Sequence, residues 1–194
     1  MALLYLLELM KIRTFIALKL PSSLKQELFG QAKILAAQDK RQHIRWLPPE
    51  NYHLTLAFLG DVDSVRLSGL QFALEQKLEF VKAVPCKISA ISPFPFSRPK
   101  IIAALLERTV ELLQLQTDVA NCTQSFVIYS KCRRFVPHVT LGRLKPRAEK
   151  SINLQAHNIL LAGVADAVTL FQSELTSDGA IHNALVEVPL RTLH

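Results

Sequence analysis

The apolar positions of this chain change period from one stretch to the next. From Arg13 to Leu20 they are nearly continuous and partly β-branched, and the run stops at Pro21, which predicts a first strand buried on at least one face. Leu24, Leu28, Ala32 and Leu35 then recur at helical spacing. Ser23 to about Gln38 is therefore expected as an amphipathic helix, with Ser23 and Gln26 as its capping box. Paired prolines bar helix in Trp46-Leu47-Pro48-Pro49. Tyr52 to Leu59 alternates as a strand and ends at Gly60-Asp61, and Asp63 is the expected cap of a second helix carrying Leu67, Leu70, Leu74 and Leu78. Cys86 to Ile91 reads as a strand, followed by a proline-punctuated loop from Ser92 to Pro99 and the apolar run Ile101 to Leu106. Thr109 to about Val119 is expected as a helix with Leu112, Leu115 and Val119 on one side. Phe126 to Tyr129 and Phe135 to Leu144 are strand-like. Val168 to Leu175 and Ala180 to Val188 flank Thr176-Ser177-Asp178-Gly179 as a hairpin.

The order strand, helix, strand, helix thus comes round a second time with no Pro/Gly/Ser linker between the halves. The expectation is an α+β protein, one domain over residues 10–194, made of two similar lobes that share a cleft. Residues 1–9 are apolar but interrupted by Glu8, with no basic residues ahead of them and no small-residue cleavage site after. They read as an N-terminal extension rather than a targeting segment.

Composition narrows the partners. The 194 residues carry 23 Lys and Arg against 16 Asp and Glu, a net charge of +7, which suits a polyanion or a phosphate-bearing substrate. Cys86, Cys122 and Cys132 form no Cys-x-x-Cys pair, so a reducing, cytoplasmic compartment is expected. No membrane partner is expected, and the chain is expected to act as a monomer.

The chemistry concentrates in two echoing segments, His53-Leu54-Thr55-Leu56 and His138-Val139-Thr140-Leu141, which are 138 − 53 = 85 residues apart, one in each lobe. In a strand, residues i and i+2 share a face. Each motif therefore offers an imidazole and a hydroxyl on one side, while Leu54 and Val139 turn to the core. Tyr52 and Phe58 are placed with the core by the same parity. Two facing copies would surround a tetrahedral anion with two imidazoles and two hydroxyls. One histidine can take a proton from water, the other can give one to a leaving oxygen, and the hydroxyls can hold non-bridging oxygens. A metal site is disfavoured, because no Asp, Glu or Cys stands within two residues of either histidine.

At these residues the chain resembles the two-histidine phosphoesterases, in particular the RNA 2′,3′-cyclic phosphodiesterases long called bacterial 2′-5′ RNA ligases. The resemblance spans about Lys11 to Leu190. It rests on Phe15-Ile16-Ala17-Leu18-Lys19-Leu20-Pro21, on the block from Arg45 to Gly60, on Pro137-His138-Val139-Thr140-Leu141-Gly142-Arg143 and on Leu170-Phe171-Gln172-Ser173-Glu174-Leu175. It implies a bilobal fold of two antiparallel sheets with outer helices, and metal-independent opening of a terminal 2′,3′-cyclic phosphate on RNA to a 2′-phosphate, with no cofactor. It implies His53 as proton donor to the leaving 3′ oxygen, His138 as base on water, and Thr55, Thr140 and Arg143 as phosphate ligands. Joining or cleaving 2′-5′ linkages is implied as the same exchange with a ribose hydroxyl in place of water. The family usually has tyrosine where this chain has His182.

Lys131, Arg133, Arg134, Arg143, Lys145, Arg147 and Lys150 gather around the second motif against the single acid Glu149, a cluster able to follow an RNA backbone. Trp46, Phe94 and Phe96 are candidates to stack a terminal base, with packing as the competing role. Two other functions fit the same residues: a phosphodiesterase on small cyclic nucleotides or 2′-5′ linked oligonucleotides, and a non-catalytic RNA-binding module.

Overall fold

A computed structural model describes residues 10–126, 134–146, 156–176 and 179–192. The chain runs β1 (Lys11–Lys19), α1 (Ser22–Gln38), β2 (Ile44–Trp46), β3 (His53–Asp63), α2 (Leu67–Leu78), β4 (Val84–Phe94), β5 (Ile101–Leu106), α3 (Val110–Thr123), β6 (His138–Leu144), β7 (His157–Ala165), β8 (Ala167–Thr176) and β9 (Gly179–Pro189). The expected extension, the proposed strand beyond Phe126, most of the basic loop around Lys131 and the tip of the last hairpin lie outside the described residues.

The strands pair antiparallel in the order β7-β4-β5-β6-β3-β1-β8-β9, with β2 added beside β6. The two expected sheets are both present as four-stranded halves. They meet in one residue pair, Leu54 opposite Val139, so the hydrogen bonding runs on as a single nine-stranded sheet. The order is a palindrome about that seam. In one half β1, α1 and β3 follow one another along the chain, in the other β5, α3 and β6, and in both the first strand pairs with the motif strand.

The helices cover one face of the sheet through their apolar stripes: Leu24, Leu28, Ala32 and Leu35 of α1, Leu70, Leu74 and Leu78 of α2, and Leu112, Leu115 and Val119 of α3. These pack with Leu18, Leu54, Val139, Val168 and Leu170 in one core. α1 follows β1 in the chain yet lies across the other half, against β6 and β7. There Gly163 of β7 comes so close that a Cβ would stand 2.9 Å from Pro21 Cγ. α3 leans on β3, where Gln116 Nε2 donates to the Leu56 carbonyl.

The helix starts differ from the sequence expectation. α1 begins directly after Pro21, whose carbonyl accepts from Lys25 N–H, so Ser23 lies inside the first turn and makes no cap bond. A 3-10 turn, Ser64–Arg66, intervenes before α2, and Asp63 caps neither element with its side chain. Thr109 does cap α3, its hydroxyl accepting from Leu112 N–H. β2 and β7 were not visible in the periodicity. β2 is three residues long and is held by β6, with the Asp39 carboxylate accepting from His43 and Ile44 N–H just before it. β7 is an edge strand with Leu160 and Val164 exposed, so its apolar residues do not mark one buried face. β4 extends through Phe94, further into the Ser92–Pro99 segment than the prolines suggest.

Candidate active site

Cross-strand partners share a face of the sheet, so the pairing register shows what surrounds each motif. In the first half the uncovered face carries three rows: His53 opposite Lys19 and Ala167, Thr55 opposite Ala17 and Thr169, and Phe58 opposite Phe15 and Phe171. The second half repeats them: His138 opposite Leu105 and Ala90, Thr140 opposite Ala103 and Ser92, and Arg143 opposite Ile101 and Phe94. The residues between, Leu54 and Val139, are fully buried on the helix side. Continuing the antiparallel register from that seam pair sets His53 beside Thr140, and Thr55 beside His138. All four side chains of the motifs thus share one face around the seam.

Two β-bulges complete this arrangement. Arg143 stands five residues after His138, an odd step that strict alternation would send to the core. A register shift between Ile102 and Ala103 leaves Leu141 as an extra residue and returns Arg143 to the site face. The matching shift in β3 falls between Ile16 and Ala17, and it does the same to Phe58, again five residues after the histidine. The parity argument that placed Phe58 in the core is thereby overturned: its side chain is 73% exposed on the site face, 6.1 Å from the Phe15 ring. Tyr52, ahead of the bulge, is fully buried as expected.

The two imidazoles are anchored alike. His53 Nδ1 lies 2.8 Å from the Asn51 carbonyl and His138 Nδ1 2.8 Å from that of Val136. A carbonyl only accepts, so each Nδ1 carries the proton and each Nε2 is left for chemistry. Their walls differ. His53 sits among Phe15 at 5.0 Å, Phe171 at 6.0 Å and His182 at 5.4 Å between ring centroids. His138 packs against Phe94 at 4.8 Å. Burial, and next the neighbouring His182, push His53 down to about 4.

Three cations border the site. Arg45 pairs across the β2–β6 ladder with Arg143, and burial together with Arg45 lowers the proton affinity of Arg143. Like charges opposite one another are unfavourable, which favours an anion between or beside them. Lys19, the ladder partner of His53, is held by Glu187 at 2.7 Å.

Of the stacking candidates, Phe94 lies against His138 and Phe96 is 68% exposed beyond it, edge-on at 6.0 Å. Trp46 is placed otherwise. With Arg45 on the site face, its neighbour turns to the opposite side, where Trp46 packs on the core and over Gly142. Its indole belongs to the packing. Arg134 and Lys145 are described and exposed, whereas Lys131, Arg133, Arg147 and Lys150 lie outside the described residues. Among the described residues no three His, Cys, Asp or Glu side chains converge as metal ligands, and no helix is long and apolar enough to cross a membrane.

Known proteins share both the sequence and this architecture. A family model described as LigT like Phosphoesterase matches residues 18–102. An RNA 2′,3′-cyclic phosphodiesterase of Thermotoga maritima is 30% identical over 91% of this chain and 94% of its own. One of Methanocaldococcus jannaschii is 28% identical over 91% and 99%. Among solved structures, a Thermus thermophilus protein superposes with a TM-score of 0.80 at 22% identity, covering 94% of this chain and all of its own. E. coli LigT complexed with 3′-AMP gives 0.76 at 21%, covering 94% and 99%. The chain belongs to the LigT-like, two-histidine phosphoesterase family.

Proposed function

We infer that the protein is a phosphodiesterase that hydrolyses a terminal 2′,3′-cyclic phosphate on RNA to a 2′-phosphate. The observation that carries the reading is the seam register, which brings both His-x-Thr pairs onto one face with Arg143 alongside. In the reaction, a water oxygen attacks phosphorus and gives its proton to His138 Nε2. The bond from phosphorus to the 3′ oxygen breaks, and that oxygen takes a proton from His53 Nε2. Thr55, Thr140 and Arg143 hold the non-bridging oxygens as charge builds on them.

The environment of His53 fits a donor that is loaded by its substrate. Burial keeps the ring neutral at neutral pH, and the negative phosphate supplies the counter-charge that raises its proton affinity. The terminal base would then stack on an exposed aromatic, Phe58 beside His53 or Phe96 beyond His138. The enzyme would act as a monomer, without a metal or other cofactor, on RNA ends in the cytoplasm. A ribose hydroxyl replacing water would give 2′-5′ joining.

The test is a short RNA ending in a cyclic phosphate, incubated with purified protein in EDTA. The expected product is the 2′-phosphate, with loss of about 10²–10⁴ in rate for His53→Ala and for His138→Ala. Unchanged turnover in both variants refutes the reading, and salt-sensitive RNA binding without turnover points to a binding module. The residual rate of His138→Ala assigns the roles: it falls with rising pH if His53 is the donor, and climbs if His53 is the base.

A further inference from the structure

Against the first catalytic-site histidine stands a third imidazole to which the reaction assigns no part. We propose that His182 is a positioning residue for His53, the two rings forming one titrating pair that holds at most a single positive charge between them. That His53 is a reacting histidine comes from the proposed reaction; the coupling itself does not depend on it.

The geometry is a closed aromatic corner. His182 pairs with Ser173 in the β8–β9 ladder, and its ring meets His53 edge to face, 5.4 Å between centroids at 88°. Both rings rest on the same two phenyl groups: His182 is 4.9 Å from Phe15 and 6.4 Å from Phe171. His182 Nδ1 is buried with no hydrogen-bond partner among the described residues. A bare nitrogen lone pair is tolerable there, but protonation would create a buried N–H with no acceptor. The neutral ring therefore keeps its one proton on Nε2.

The charges around the corner act in the same direction. Arg143 faces the pair from β6 and, after burial, holds His182 down. Lys25 of α1 and Arg143 both disfavour a proton on His53, and so does His182 itself. Lys19 of β1 is tied to Glu187 of β9, and β8 presents only the uncharged Phe171 and Ser173. Among the described residues no carboxylate in these contacts rewards a second proton. Two imidazoles at this separation repel when both are charged, so their titrations belong to the pair. The seated ring keeps His53 unprotonated until an anion arrives, and edge contact holds its plane.

The experiment follows the histidine ring resonances of the full chain by NMR through an acid titration, for the native protein, His182→Phe and His182→Asn. Removing the competitor should raise the His53 midpoint by about one pH unit, a tenfold gain in proton affinity, in both variants. It should stop short of the ordinary value because Phe15 and Phe171 still bury the ring. The limb of the kcat/KM profile that His53 sets should move up by the same amount, whereas a merely structural role lowers the rate evenly across pH. A His53 midpoint identical to native in both variants overturns the pairing; if His182→Phe misfolds, His182→Asn alone decides. A shifted midpoint in a protein whose cyclic-phosphate turnover survives His53→Ala supports the pairing and refutes the proposed reaction instead.

Discussion

His53 takes up a proton reluctantly because Phe15, Phe171 and His182 replace water around it, and this has a consequence for stability. Its midpoint lies at about 4 in the folded chain against 6.5 for an ordinary histidine. Between those values the unfolded chain binds more protons, so stability falls as pH drops through that window and is intact above it. The full difference amounts to about 3 kcal/mol. His182, also lowered, adds in the same direction. Urea unfolding at several pH values should show this loss in the native protein and a smaller one in His53→Gln. Phe58 is the complementary case. Its side chain is exposed, so Phe58→Ala should leave the unfolding midpoint in place. If the terminal base stacks there, kcat/KM on RNA ends should fall by about 5- to 150-fold, corresponding to roughly 1–3 kcal/mol. An unchanged kcat/KM would move the base to Phe96.

At the level of elements, the Ile44 and Trp46 side chains of β2 pack into the space that a side chain at Gly142 of β6 would fill. A Cβ there would lie 2.6 Å from Ile44 Cγ2 and 3.2 Å from Trp46 Cε3. Gly142→Ala should therefore cost about 1–3 kcal/mol in urea unfolding. It should also depress turnover, since Arg143 is the next residue. An alanine variant of native stability and activity would show that β2 is free to move aside. The same elements show what could be read in advance. Long helices and alternating strands were legible because burial on one side writes its period into the chain. The His-x-Thr pairs were legible because residues two apart share a face without further help. Phe58 was misplaced, and the access of Arg143 to the site could not be derived from parity, because each depends on an inserted residue that only the partner strand reveals. Trp46 was open to two roles because the three-residue β2 owes its existence to β6 rather than to its own sequence. His182 stood out only as a departure from the usual tyrosine; its contact with His53 depends on β9 pairing alongside β8 in the sheet.

Across the molecule, a net charge of +7 and the facing arginines at the site predict how substrates of different length respond to salt. An RNA end drawn in through several phosphates should show a KM that climbs steeply with ionic strength, with kcat little changed. A nucleoside cyclic phosphate, bound at the seam alone, should respond far less. Equal and weak salt dependence for both would favour a small cyclic nucleotide as the natural substrate.

The exchanged helix carries a last implication. α1 leaves β1 and seals the half-sheet built by β4 to β7, while the strands that wall His53, β8 and β9, come from the far end of the chain. A cut anywhere between the two histidines would leave each fragment with an apolar stripe whose cover is on the other piece. The duplication visible in the sheet is therefore not two small proteins joined end to end. Its halves are interlaced, each covering apolar surface of the other, and the distance between the two motif histidines is set by how the whole chain closes on itself.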